Sequence, residues 1–145
     1  MPRFLDINVW LPLLWEGHAA HAVARKWASS EPKELVVCRV TQMGLLRHLC
    51  NPVIMGADVL SNRAASGVVS SLTVRSGVRF SPEPAGLDSI FPRLGESTEP
   101  QRNRWTDAYL AAFAISGGFE LVSFDREFAR YEEHGLTWQL LTLQK

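Results

Sequence analysis

Cysteines and long apolar runs are both scarce in this chain of 145 residues. Its two cysteines, Cys38 and Cys50, lie in apolar surroundings without the spacing of a disulfide framework or a metal site, so we expect buried, reduced thiols. No run approaches the roughly 18 apolar residues that a membrane helix needs. Asp6 interrupts the first apolar run too early for a signal peptide. These absences predict a cytoplasmic protein with no disulfide.

An excess of charge of either sign is also missing, because 15 basic residues balance 15 acidic ones. This balance counts against a broad basic surface for long nucleic acid, but it allows a local basic rim. The length and the apolar fraction of 46% fit a globular domain with a proper core and leave no room for a second domain of similar size. We therefore expect residues 1–145 to form one domain.

Short apolar or β-branched runs alternate with segments of helical spacing along the chain. The predicted strands are one that ends at Asp6 and four others at residues 34–38, 78–80, 119–124 and 137–143. The predicted helices cover residues 7–15, 18–30, 39–49, 57–75 and about 103–117, and residues 83–101 read as a loop with one helical turn at 87–91. This alternation predicts an α/β fold with a mainly parallel, five-stranded sheet flanked by helices.

Helical spacing also predicts which side chains of two helices are buried. In the second helix the stripe is Ala19, Ala22, Val23 and Trp27, and in the third it is Val40, Met43, Leu46 and Leu49. His18 and His21 are i, i+3 neighbours, but no third ligand accompanies them, so surface or structural roles are favoured over metal binding.

Acidic residues stand at three corresponding places in this pattern. Two predicted strands end in Asp6 and Asp125, and Asp107 lies in the first turn of a predicted helix. Strand carboxyl ends and the amino ends of the following helices share one edge of such a sheet, so the three carboxylates can meet there. Clustered carboxylates repel unless a cation neutralises them, and hard oxygen ligands suit Mg²⁺ or Mn²⁺. The alternative is three independent helix caps that do not converge.

Three segments resemble the PIN-domain nucleases: residues 4–9 (Phe-Leu-Asp-Ile-Asn-Val), 106–110 (Thr-Asp-Ala-Tyr-Leu) and 122–128 (Val-Ser-Phe-Asp-Arg-Glu-Phe). Together with Arg-Val-Thr-Gln at 39–42, they are similar to the VapC-type ribonuclease toxins of bacterial toxin–antitoxin pairs. The resemblance spans nearly the whole chain. It implies a PIN-like domain and a metal-dependent endoribonuclease that hydrolyses RNA phosphodiester bonds, is usually a homodimer and is held inactive by a cognate antitoxin.

Site residues follow from this resemblance by position. It implies that Mg²⁺ or Mn²⁺ is held by the catalytic acids Asp6, Asp107 and Asp125, with Glu127 as a supplementary ligand. Groups that orient these acids would be Asn8 and Ser123, with Gln42 as a neutral group close by. Candidate RNA contacts are Arg47, Arg104 and Arg126. The first two helices also carry an apolar set, Trp10, Leu14, Trp15 and Trp27, which we expect to contribute to an antitoxin groove.

Gln42 departs from the pattern, because many relatives carry Glu on the helix after the second strand. A neutral amide there weakens a second metal position and keeps open a non-catalytic, PIN-like binding module. A haloacid dehalogenase-like phosphatase is a further alternative, since it also begins with a strand that ends in Asp. That chemistry uses Asp-x-Asp and a well-placed lysine, whereas this chain has Asn8 and only Lys26, Lys33 and Lys145.

Overall fold

Five parallel strands form one sheet in the computed structural model, which describes residues 1–143. Their bounds are β1 Arg3–Leu5, β2 Leu35–Val37, β3 Val78–Phe80, β4 Glu120–Ser123 and β5 Trp138–Leu140. The strand order is β3-β2-β1-β4-β5, and all four pairs are parallel. The predicted fold class is therefore confirmed, while residues 144–145 of the predicted domain lie outside the described residues.

Seven α-helices connect these strands within residues 1–143. They are α1 Ile7–Leu14, α2 His21–Ser29, α3 Arg39–Leu49, α4 Pro52–Met55, α5 Asn62–Leu72, α6 Leu87–Gly95 and α7 Arg104–Gly117. Two further segments, Gly56–Asp58 and Arg126–His134, are 3-10 helices. None of the helices in this part of the chain is long and apolar enough to cross a membrane.

Two apolar clusters, one on each face of the sheet, make up the core. Successive strand residues alternate between them: Phe4 packs with α6 and α7, and Leu5 packs with α1, α3 and α5. Val36 and Val37 divide in the same way. Because all five strands are parallel, their carboxyl ends lie along a single edge of the sheet, where the candidate site lies.

The predicted single helix over residues 57–75 is wrong, because local caps divide this region. Asn51 Oδ1 accepts a hydrogen bond from Val53 N at 2.9 Å and starts α4, which ends at Gly56 with a positive φ of 56°. Ser61 Oγ then accepts from Ala64 N at 3.1 Å and starts α5. Each cap satisfies an amide at a helix start. α4 therefore precedes the predicted segment, and the α-helix within that segment is α5 alone, which covers Asn62–Leu72.

The region predicted as a loop over residues 83–101 also differs, because it contains the whole of α6 rather than one turn. This helix runs through Pro92, and its ends bury Leu87 and Leu94 against α7. Burial of these leucines outweighs the proline, which removes only one backbone donor.

The start of α2 falls at His21 rather than residue 18. His18 Nδ1 accepts from Ala20 N at 3.0 Å, and the His21 ring bonds to the Pro12 carbonyl at 2.6 Å, so both histidines take structural roles. Both cysteines are free, as predicted, with Cys38 buried and Cys50 half-buried.

Both predicted buried stripes are correct only in part. Leu49 is buried, and Trp27, Val40 and Leu46 pack half-buried against the core, while other positions of the two helices are the fully buried ones. In α2 the buried residue is Ala24, and Ala19 and Ala22 are exposed. In α3 the buried residues are Thr41, Leu45 and Leu49, while Met43 is 55% exposed. Thr41 is the polar member of this buried set, and its hydroxyl is satisfied there because it accepts from Cys38 N at 3.0 Å.

Candidate active site

Asp6 both follows a central strand and caps a helix, so the two interpretations of this acid hold together. It follows β1 directly, and its Oδ1 accepts from Ile7 N at 2.7 Å at the start of α1. Its Oδ2 accepts from Ser123 Oγ at 2.8 Å. Burial raises the pKa of the Asp6 carboxyl, repulsion from Asp125 adds to this rise, and the Ser123 bond opposes it.

Ser123 joins the ends of β1 and β4. Its fully buried hydroxyl donates to Asp6 and accepts from Asn8 Nδ2 at 3.1 Å and from Asp125 N at 2.9 Å. Asn8 Oδ1 in turn accepts from Phe124 N at 3.2 Å. The side-chain amide of Asn8 and the hydroxyl of Ser123 thus belong to one hydrogen-bond network. This network fixes the position of Asp6 relative to Asp125.

Asp125 repeats the arrangement of Asp6 at the neighbouring strand. It lies after β4, and its Oδ1 accepts from Glu127 N at 2.9 Å at the start of the 3-10 helix Arg126–His134. The second oxygen, Oδ2, accepts no hydrogen bond from residues 1–143. One oxygen therefore holds the backbone and the other is free to act as a ligand.

Asp107 reaches the same edge from α7 but has different surroundings. It is half-buried in the first turn, and within residues 1–143 its carboxylate makes no hydrogen bond or ion pair. Burial raises the pKa of Asp107 to about 6, and repulsion from Asp6 and then Asp125 adds to the rise. Arg130 opposes it from the 3-10 helix. The three predicted acids therefore interact through their charges at one edge of the sheet.

The chemistry of these donors fits a hard divalent cation. All three acids offer carboxylate oxygens, and burial, followed by repulsion from Asp6 and Asp125, raises the pKa of Asp107 although Arg130 opposes the rise. The acids are not closed around a point, however, because no group of three or more His, Cys, Asp or Glu side chains in the described chain has ready-made ligand spacing. The residues match Mg²⁺ or Mn²⁺ in ligand type.

Two predicted site residues have other partners in the structure. Glu127 is exposed, and its carboxylate pairs with Arg130. Gln42 is half-buried on α3, and its Oε1 accepts from Arg39 Nη1 at 2.7 Å. Neither side chain forms a bond with Asp6, Asp107 or Asp125 among residues 1–143, so the structure brings together the three acids, Asn8 and Ser123 but not these two.

The three predicted RNA-binding arginines surround the site on separate elements. Arg126 is exposed directly after Asp125, and Arg104 is half-buried at the start of α7. Arg47 is exposed on α3, in a cleft of about 430 Å³ whose lining includes Ile7 and Thr106, the chain neighbours of Asp6 and Asp107.

Arg130 and Trp105 complete the neighbourhood, although neither was singled out from the sequence. Arg130 follows Arg126 by four residues in the 3-10 helix, and its positive charge opposes the rise in the pKa of Asp107. Only the fold of this helix brings Arg130 close to Asp107. Trp105 stands two residues before Asp107 and is 48% exposed. The sequence offered a signal for Trp105 but none for Arg130. That signal is an aromatic residue on the polar side of a helix start.

Comparison with known proteins identifies the family of this chain. A family model described as "PIN domain" matches residues 3–134. A relative from Mycobacterium tuberculosis, "Ribonuclease VapC41", is 39% identical over 132 residues, which cover 87% of this chain and 90% of the relative. "Ribonuclease VapC39" of the same organism is 28% identical over 138 residues, which cover 94% of this chain and 97% of that protein.

Solved structures share the fold at low identity. VapBC2 from Rickettsia felis, bound to a DNA fragment from its promoter, aligns with a TM-score of 0.65 at 12% identity and covers 98% of this chain and 100% of that chain. Mycobacterium tuberculosis VapC20, described as a sarcin–ricin loop cleaving toxin, aligns with a TM-score of 0.63 at 21% identity over 93% of this chain and 96% of its own. Taken with the sequence matches, this chain belongs to the PIN-domain family and, within it, to the VapC group.

Proposed function

We propose that this chain is a divalent-metal-dependent endoribonuclease that hydrolyses RNA phosphodiester bonds, and that it is the toxin of a toxin–antitoxin pair. The observation that carries this proposal is the meeting of Asp6, Asp107 and Asp125 at one sheet edge, with the pKa of Asp107 raised to about 6. The name of the relative at 39% identity, a ribonuclease, supports the choice of RNA as substrate. RNA as substrate places the activity in the cytoplasm.

Asp6, Asp107 and Asp125 would hold Mg²⁺ or Mn²⁺, with Glu127 as a supplementary ligand if it leaves Arg130. A bound ion of this kind supplies charge stabilisation at the phosphoryl group and an activated water. Ser123 and Asn8 keep Asp6 and Asp125 in fixed orientation through the bonds described above. This positioning spares the site from reorganising when the substrate binds.

Three arginines supply positive charge near the acids. Arg126 lies beside Asp125, Arg104 begins the helix that carries Asp107, and Arg47 lies in the cleft next to Thr106. Guanidinium groups bind phosphate oxygens in a bidentate manner, so these three would position the RNA backbone around the acids. The chain as a whole has no net charge, which fits RNA binding by a few arginines at the site rather than by a broad basic surface.

Metal removal tests the proposal. The purified chain is incubated with a fluorescently labelled structured RNA, with Mg²⁺ or Mn²⁺ and then with excess EDTA. We expect cleavage with either metal, none with EDTA and full recovery when the metal is restored. Cleavage that persists after exhaustive chelation would contradict the metal-dependent mechanism.

A non-catalytic, PIN-like binding module is the second candidate, and two observations favour it. Gln42 stands where many relatives have Glu, and its amide is bonded to Arg39. The described acids also lack ready-made ligand spacing. The phosphatase alternative is no longer needed, because the chain belongs to a nuclease family. RNA cleavage by the wild-type chain separates the two remaining candidates.

The proposed partners are an antitoxin and a second copy of this chain. Several solved structures with this fold are VapBC complexes, which supports an antitoxin partner. Of the four residues predicted for a groove, Trp10 is 2% exposed and belongs to the core, whereas Leu14, Trp15 and Trp27 are half-buried. Light scattering of the chain alone and with the product of an adjoining antitoxin gene measures both assemblies.

A further inference from the structure

Trp105 is unusual among the aromatic side chains of residues 1–143. It is 48% exposed, whereas the other Trp, Tyr and Phe residues in this part of the chain are buried or half-buried. Large aromatic side chains are usually well buried, because each carries a large apolar surface. An exposed ring beside a candidate active site therefore calls for a functional explanation.

The exposed ring is held in place rather than free to swing. Its edge packs on Gly95 so closely that a Cβ there would lie 2.2 Å from Trp105 Cζ3. Phe91 meets it edge to face, with ring centroids 5.7 Å apart and an interplanar angle of 73°. Both contacts come from α6, so the glycine creates the space in which the ring rests.

Trp105 lies close to the candidate catalytic acids. It shares the first turn of α7 with Asp107 and precedes it by two residues, so their Cα atoms are about 5–6 Å apart. Side chains two residues apart on a helix point about 200° apart, so the ring lies across the start of α7 from the acids. A strand of RNA that crosses the start of this helix from the acids can therefore bring one of its bases to the ring. Arg102 and Arg104 precede the ring in the chain and offer contacts for the phosphates of that RNA.

The cleft beside the ring is large, and its surface combines apolar area with several polar side chains. It has a volume of about 710 Å³ and is lined by Trp105 together with Gly95, Glu96, Ser97, Thr98, Glu99, Pro100 and Gln101. Carboxylate, amide and hydroxyl groups can pair with the edge of a base, whereas the two glutamates would repel a phosphate. The lining therefore suits a nucleobase, with the phosphates kept outside near the arginines.

A protein partner fits this cleft less well than a base does. Protein docking surfaces bury contiguous apolar area, and Trp105 is the only large apolar side chain among the cleft residues. Single, rigid aromatic rings beside polar groups are what proteins use to stack unpaired bases. This contrast separates the Trp105 cleft from an antitoxin groove.

We propose that Trp105 stacks an unpaired base of the RNA near the cut, across the start of α7 from the acids, with Gly95 as the residue that positions the ring. This inference rests on the proposed ribonuclease function, because it assigns a subsite for the substrate of that same site. RNA with an unpaired nucleotide near the cut is the substrate class that such a subsite selects. The ring adds affinity for any base, and the polar lining supplies the preference among bases.

Binding of an uncleavable probe tests the stacking. The probe is a short unpaired oligoribonucleotide blocked with 2′-O-methyl groups, and the readouts are tryptophan fluorescence and Kd, both measured without metal. We expect the probe to quench the wild type. Trp105→Leu should abolish most of the quenching and lower affinity about tenfold, within the range for loss of one base–aromatic stack. Trp138→Phe, at a half-buried tryptophan on β5, is the matched control and should leave both the fractional quenching and Kd unchanged.

Two further comparisons tie the effect to a base and to ring position. An abasic probe should bind the wild type about tenfold more weakly, and Trp105→Leu should not distinguish it from the intact probe. Gly95→Ala keeps the indole but displaces it, so we expect a smaller loss of affinity and quenching. Circular dichroism of each variant shows that it is folded, and Gly95→Ala carries the test if Trp105→Leu does not fold.

The outcomes separate this inference from the proposed function. Wild-type affinity in Trp105→Leu, or equal penalties for the abasic probe in both proteins, would overturn the stacking and leave the ring as a packing or protein-contact residue. Loss of stacking in a chain that still cleaves RNA with metal refutes this inference alone. A wild-type chain that stacks the probe but cuts no RNA supports the inference and points to the binding module.

Discussion

The two sides of the candidate active site are built in opposite ways. On the hydrogen-bonded side, formed by Asp6, Asn8, Ser123 and Asp125, the polar groups are joined in one network and both acids cap the helices that follow. On the charged side, Asp107 makes no hydrogen bond within residues 1–143, and its pKa is raised to about 6. The hydrogen-bonded side has a fixed geometry before any ligand binds. On the charged side, the ionised carboxylate of Asp107 is unfavourable until a cation binds. A metal site needs both, because rigid ligands set geometry and an uncompensated charge provides affinity.

The largest expected effect comes from removing a charge on either side. Asp6→Asn and Asp107→Asn should each lower RNA cleavage more than about a hundredfold, beyond the range for groups that only orient ligands. The gel-based cleavage rate measures this, and circular dichroism should show an unchanged fold because Asn has nearly the same volume. Asp88→Asn, at an exposed acid in the first turn of α6, is the control. Full activity with intact metal binding in either site variant would refute the assignment.

Ser123→Ala tests the hydrogen-bonded side alone. It leaves Asn8 Nδ2 and Asp125 N without their acceptor and Asp6 Oδ2 without its donor. We expect a loss of about 2–4 kcal/mol in the free energy of unfolding and a 10- to 100-fold loss of cleavage, about what the loss of an orienting group gives.

Ser81→Ala provides the matched control for Ser123→Ala. Ser81 is also buried, but its hydroxyl donates only to the adjacent Pro82 carbonyl at 2.9 Å. Chemical denaturation and the cleavage assay should therefore show a small stability loss and unchanged activity. Equal effects of the two substitutions on cleavage would show that Ser123 has no positioning role.

Asp107→Asn tests the charged side through stability in the absence of metal. A carboxyl whose pKa rises from 3.8 in the unfolded chain to about 6 in the folded one lowers stability as pH rises through that window. The variant should therefore be more stable than wild type above pH 6, by about 1–2 kcal/mol after allowance for solvent screening, and no more stable below pH 4. Denaturation curves at pH 4 and pH 8 measure this.

Mg²⁺ should reverse the gain of Asp107→Asn. A cation that binds only the folded wild type raises its stability by mass action, so the advantage of the variant at pH 8 should shrink as Mg²⁺ is added. A variant less stable than wild type at pH 8 without metal would contradict the strained environment of Asp107.

Gln42 should give the smallest effect. Gln42→Glu would strengthen the contact with Arg39, so we expect RNA cleavage to stay similar or fall slightly, and Gln42→Ala should reduce it no more than a few-fold. The cleavage rate at several Mg²⁺ concentrations measures both variants. If wild type is inert and Gln42→Glu cuts RNA, the chain is a disabled nuclease and the binding-module proposal replaces ours.

Strong local signals explain why the sequence predicted most of the fold. α7 is rich in Ala and Leu and ends at Gly118, whose φ of 70° is left-handed, so its position was predictable within a residue or so. The acids after β1 and β4 were also predictable, because a carboxylate after an apolar strand is informative by itself. These signals do not depend on distant parts of the chain.

The failures lie where tertiary contacts or single caps decide the outcome. Residues 57–75 read as one helix because small residues suit helix, but Ser61 restarts the chain with one hydrogen bond. Met43 was predicted to be buried, yet it faces a cleft, and Thr41, which bonds to Cys38, is buried instead. Arg130 reaches Asp107 through a 3-10 helix that has no clear periodic signature.

The double role of Asp6 and Asp125 as helix caps has an evolutionary consequence. Asn caps a helix start about as well as Asp does, so replacement by Asn at either position would keep the fold while removing a charge from the site. Asp107 has no such constraint and can drift more widely once selection on activity is relaxed. We therefore expect inactivated descendants of this gene to carry Asp or Asn at positions 6 and 125 and a variety of residues at position 107. The pattern of substitutions at these three positions would distinguish a silent copy of the gene from a working one.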